Sequence, residues 1–176
     1  MTRAFFSLAM ASLAGTLTAC TPTLDWREVR PEGSPVRLMM PCKPASHART
    51  VTLADRRVEM SMYACTAGDV TYAVAFADMA DPAAVTAALG ELARSARANL
   101  RASDSAASSA LAVPGMTPNA QAAQWRMDGR LPDGRQVQEQ MAVFAHGTRV
   151  HQATMVGPRI DAEARETFFS GLAVGR

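Results

Sequence analysis

Lysine is almost missing from this sequence: Lys43 is the single copy, and the other cations are arginines spread along the chain. Lysine and arginine together number 18 against 16 acids, a net charge of +2, with no basic stripe. A surface that neutralises phosphates needs such a concentration of cations, so nucleic acid is not an expected partner. No apolar run reaches the roughly 20 residues of a membrane-spanning helix. The longest candidate, Ala4 through Leu17, is interrupted by Ser7, Ser12, Gly15 and Thr16. Histidine and cysteine occur three times each, and none falls at a spacing that completes a metal site or a Cys-x-x-Cys redox pair. A Gly-x-Ser-x-Gly elbow, a phosphate loop, a dinucleotide fingerprint and a His-Glu-x-x-His pair are all absent, so no cofactor and no catalytic residue is expected.

What is present is an ordinary globular composition: 48% hydrophobic, 19% charged and 11 methionines over 176 residues. That length fits one domain, large enough to hold together without a metal or a dense disulfide network. The N-terminus carries the strongest signal. Residues 1–20 read MTRAFFSLAMASLAGTLTAC, with a cation at Arg3, an apolar stretch, and small residues before a cysteine. That is the three-part plan of an export signal. The tetrad Leu17-Thr18-Ala19-Cys20 resembles a lipobox. The resemblance implies cleavage after residue 19, diacylglycerol on the Cys20 thiol, and anchoring to a membrane through that lipid. Thr21 stands where an aspartate would resemble an inner-membrane retention signal, so the implied address is the periplasmic face of the outer membrane. Simple secretion and an uncleaved anchor are the alternatives. On the lipobox reading, residues 1–19 are the signal peptide, 20–23 the lipidated N-terminus and spacer, and 24–176 a single domain.

Cys42 and Cys65 remain once Cys20 is used. An oxidising compartment allows them to pair. They flank a predicted hairpin, residues 50–53 and 58–63, which brings them toward one another; two buried free thiols are the other reading.

Along the rest of the chain, periodicity predicts strands and two helices. Residues 24–29 read as a first strand. Val36, Leu38 and Met40 alternate in a second, ended by Pro41. Val58, Met60 and Met62 share one face of a strand, with Glu59, Ser61 and Tyr63 on the other. Tyr72, Val74 and Phe76 alternate with Ala73, Ala75 and Ala77, a small-residue face suited to a close-packed helix. Asp81-Pro82 then has the form of a helix start. Val85, Leu89, Leu92, Ala96 and Leu100 make one apolar stripe over about five turns. Residues 103–123 are rich in Ala and Ser and carry Pro114, Gly115 and Pro118, a surface excursion with a short edge strand expected at 110–113. A meander follows, turning at Pro132-Asp133-Gly134 and His146-Gly147. Asp161 caps a last helix anchored by Phe168 and Phe169, with a short strand at 172–174. Strands in blocks with two helices argue α+β: an antiparallel sheet of six or seven strands with one long and one short helix.

The order of these pieces resembles the PsbP-like fold, an α/β/α sandwich. The matching phrases are Met40-Pro41-Cys42-Lys43-Pro44, the strand through Thr71 ending in Asp78-Met79-Ala80-Asp81-Pro82, Leu131-Pro132-Asp133-Gly134-Arg135, and the closing Met155-Val156-Gly157-Pro158 with Phe168-Phe169-Ser170-Gly171-Leu172. The chain departs from that pattern at Cys42, where a glycine is usual, and at a glycine-free hairpin around Asp55-Arg56. The resemblance implies architecture and no activity.

His47, His146 and His151 read as solvent-facing or internally satisfied, and Asp78 and Asp81 as strand-end and helix-cap residues. With no chemistry to assign, the leading expectation is a non-catalytic envelope module that binds a protein partner or supports an assembly. The alternative is a small-ligand carrier or sensor, with a cleft between the sheet and the 103–123 excursion walled by Met116 and Trp125.

Overall fold

The computed structural model describes residues 23–102 and 107–175. The expected signal peptide, Cys20 and the first residues after it lie outside that range, as does the start of the excursion. Ten strands and two helices follow in order: β1 (Arg27–Val29), β2 (Val36–Met40), β3 (Ala45–Leu53), β4 (Arg56–Ala67), β5 (Val70–Asp78), α1 (Pro82–Asn99), β6 (Ala107–Ala110), β7 (Ala123–Arg130), β8 (Gln136–His146), β9 (Arg149–Gly157), α2 (Ala162–Ser170) and β10 (Ala173–Val174). The architecture is α+β.

Seven strands form one antiparallel sheet in the order β3-β4-β5-β9-β8-β7-β6. α1 lies on one face. Asp81 caps it, its side chain accepting from the Ala83 amide, and Pro82 opens it where no donor is needed. The whole predicted stripe from Val85 to Leu100 is buried, packing on Met127, Met141, Val143 and Val150 of the sheet. Gly129 in β7 permits this closeness: a Cβ there would sit 2.3 Å from the Leu100 carbonyl oxygen.

The other face is covered by a second, three-stranded sheet, β1-β2-β10, together with α2. Val36, Leu38 and Met40 of β2 and Phe168 of α2 meet Tyr72, Phe144 and Met155 in a second core. Asp161 caps α2 by accepting from the amides of Glu163 and Ala164. This second sheet departs from the expected single sheet. Its key pairing joins β2 to β10, strands more than a hundred residues apart, which alternation within either strand does not encode.

One local expectation is corrected. The edge strand of the excursion falls at Ala107–Ala110, not 110–113, because Pro114 and the turn before Met116 occupy the later residues. The excursion is also pinned: Thr117 bridges to Ala145, and Val174 donates to the Pro114 carbonyl. Met62 shares the face of Val58 and Met60 as expected, but lies beyond the cover of α1. It is 39% exposed, since α1 ends its coverage of β4 one pleat earlier.

Candidate functional site

Cys42 follows β2 and Cys65 sits in β4. The two are joined in a disulfide, with a Cα separation of 6.0 Å across 23 residues. The hairpin that brings them together is longer than expected, pairing Ala45 with Ala64 through Leu53 with Arg56. Its two-residue turn, Ala54 and Asp55, has φ of 49° and 59°. Both residues thus occupy the left-handed region that glycine adopts most easily. Glu91 of α1 secures the turn by accepting from the Ala54 amide at 2.6 Å.

The histidines fall into three environments. His47 is exposed on β3. His146, at the end of β8, is 2.8 Å through Nδ1 from the Gly115 carbonyl. His151 is wholly buried, its ring stacked 5.0 Å from that of Phe144, with Nε2 3.0 Å from the Ser34 hydroxyl oxygen. Ser34 Oγ also accepts from the Val36 amide. Burial is the main reason the His151 pKa falls to about 3, helped by the positive charge of Arg149 and by His146. A serine beside an imidazole has the outline of a nucleophile and its base. Here the imidazole is a poor proton acceptor, and its Nδ1 is buried with no hydrogen-bond partner to orient it. The sequence placed His146 and His151 close together, and the β8–β9 pairing does so. The Ser34 contact, 117 residues away, carried no local signal.

Glu139 on β8 is a second buried titratable group, and sequence reasoning missed it. It lies on the α1 face in register with Met127 and Val156, and burial raises its pKa to about 7. Its alternation with Val137 and Met141 was the available clue.

Asp78 and Asp81 act at structural ends. Asp78 accepts from Thr148, the Ala80 amide and Arg149, and the Thr148 hydrogen bond leads in holding its pKa low. Asp81 caps α1 and pairs with Arg56 at 2.6 Å. Among the described residues no group of three or more His, Cys, Asp or Glu side chains is arranged to hold a metal ion. No described helix is long and apolar enough to cross a membrane.

The expected apolar cleft takes a different form. Trp125 packs on the α1 core beneath the Arg97 guanidinium, 5.6 Å from its ring, while Met116 packs against the second core. A hollow of about 450 Å³ does lie between β6, β7 and α2. Phe169 lines it together with the β7 stretch 124–126, but Met116 does not, and Gln124, Arg126, Gln140, Arg165 and Glu166 make it polar. Alternation explains the miss: adjacent strand residues point to opposite faces, so Trp125 and its neighbours Gln124 and Arg126 serve different layers.

Neither a scan against protein-family models nor a search of curated proteins finds a match to this chain.

Proposed function

We propose that this protein is a lipid-anchored envelope module with a PsbP-like sandwich, non-catalytic, whose task is to bind a protein partner at the membrane. The observation that carries the reading is the pairing of a lipobox at Leu17-Thr18-Ala19-Cys20 with a disulfide-closed domain. Both belong to an oxidising compartment outside the cytoplasm. Thr23, three residues after Cys20, lies against Gly68 in the turn between β4 and β5. An extended chain spans at most about 3.5 Å per residue, so lipid on Cys20 would hold that end of the sheet within roughly 10 Å of the bilayer. Two or three acyl chains give the durable attachment that one does not. The inner leaflet of the outer membrane is the address that Thr21 favours. Metabolic labelling with palmitate tests the anchor: the wild-type protein takes up label, and Cys20→Ala abolishes it. Wild-type uptake by Cys20→Ala would sink the reading.

The polar hollow favours a second reading, a small-ligand carrier. Arg126 and Arg165 reach it from a strand and a helix, with Gln140 buried at its floor. Glu166 also lines the hollow, so two guanidinium groups meet one carboxylate there, a combination that suits a small polar molecule with an anionic group better than an apolar one. Titration with small carboxylates and phosphates, followed by chemical shifts at Gln124 and Gln140, tests it; unchanged shifts remove the idea.

A further inference from the structure

The seven-stranded sheet ends on β3, a strand of nine residues whose outer edge pairs with no strand among the described residues. Soluble proteins usually blunt such an edge with proline, charged side chains, a bulge or extreme shortness. β3 carries one of these, the single charge of Arg49. Its sequence, ASHARTVTL, lacks proline and lysine, and its register with β4 runs unbroken from Ala45 to Leu53. The opposite edge, β6, is only four residues long.

The two faces beside this open edge differ. On the α1 side stand His47 and Arg49, with the exposed Met62 directly across from His47 on β4. Arg49 makes no ion pair among the described residues. On the other side Ser46, Ala48, Ser61 and Tyr63, together with His47 between the first two, outline a hollow of about 150 Å³, and Glu59 lies just beyond it, opposite Thr50.

We propose that β3 accepts an extended segment of a partner protein as an added strand, its carboxylates facing Arg49 and uncharged side chains facing the hollow. The proposal rests on the protein-binding reading above and names the partner's chemistry. Strand addition draws affinity from the main chain and specificity from alternate side chains, and this edge offers both. A second copy of the same chain fits poorly. Two-fold antiparallel pairing centred on β3 sets Arg49 opposite its own counterpart, and like charges directly opposed destabilise a sheet. On the hollow side Glu59 and Arg57 stand two residues apart on one face of β4, so that side favours neither sign.

The test uses the purified full chain in detergent micelles and two labelled ten-residue peptides, one alternating Thr with Asp, the other Thr with Lys. Anisotropy gives the affinities, and hydrogen-exchange mass spectrometry locates the contact. The expected result is a roughly three- to tenfold preference for the Asp peptide, with new protection confined to β3. Arg49→Glu should reverse the order, and Arg49→Gln should erase it, both with unchanged melting temperature. Equal affinities, no saturable binding at millimolar peptide, or protection elsewhere would overturn the proposal. So would a dimer in sedimentation that Arg49→Glu strengthens or dissolves, because it assigns the edge to a second copy. Palmitate incorporation is read on the same preparations: a protein that binds the Asp peptide but carries no lipid sinks the anchor alone.

Discussion

Between pH 7 and pH 5 the unfolding free energy of this protein should be nearly flat, and the flatness should be a cancellation that single substitutions expose. His151 has its pKa lowered from 6.5 to about 3, so the unfolded chain binds the extra proton as pH falls below 6.5. Its contribution is complete above the unfolded value and is lost on acidification. Glu139 has its pKa raised from 4.5 to about 7, so the folded chain holds the extra proton between those values. Its contribution is complete below 4.5 and is lost as pH rises through 7. Both groups are buried, at 0% and 5% exposure, which permits the conversion to free energy. Going from pH 7 to pH 5, linkage gives a loss of about 2 kcal/mol from His151 and a gain of about 2 kcal/mol from Glu139. Urea unfolding at pH 5, 6 and 7 measures the sum. Glu139→Gln should leave the histidine alone and lose about 2 kcal/mol on acidification. His151→Phe keeps a ring against Phe144 and should gain about the same amount. These slopes stand apart from any constant penalty of either substitution. Parallel pH profiles for the wild type and both variants would refute the reasoning.

Three further outcomes follow from other parts of the fold. Replacing Cys42 and Cys65 with serine should cost about 3 kcal/mol in urea unfolding, the loop-closure entropy of the 23-residue separation. At the β3–β4 turn, Asp55→Gly should raise stability by about 0.5–1 kcal/mol, because φ of 59° suits glycine; a lowered melting temperature would contradict the turn geometry. Leu89→Ala, at a wholly buried position on α1, should cost about 2–5 kcal/mol and is checked by the same denaturation assay.

Features set by neighbours in sequence were the readable ones. Asp81-Pro82 marked the start of α1, Asp161 capped α2, and the stripe from Val85 to Leu100 identified the buried side of α1. The meander β7-β8-β9 was legible because its turns are short and its alternation regular. Long-range partners were not. Nothing near Val36 says that β2 joins β10 and leaves the main sheet, and nothing near Ser34 announces His151. The expected wall of Met116 and Trp125 failed similarly: proximity to one loop was legible, but which side of the sheet each residue reaches was not.

The same asymmetry explains where function can reside in this fold. α1 covers only part of its sheet face, so Met62 and the half-buried Ala73 and Ala75 lie beyond its reach. Across the sheet, β2 and α2 bury Tyr72 and Phe144 completely. The α1 side of the open β3 edge therefore combines the Arg49 charge with the exposed Met62, and the proposed strand turns its carboxylate side chains to that side. The polar hollow near α2 offers hydrogen bonds and guanidinium groups instead, which suit a small solute. The β3 edge and the polar hollow thus lie at opposite ends of the seven-stranded sheet, and a substitution at Arg49 should leave the chemical shifts of Gln124 and Gln140 where they are.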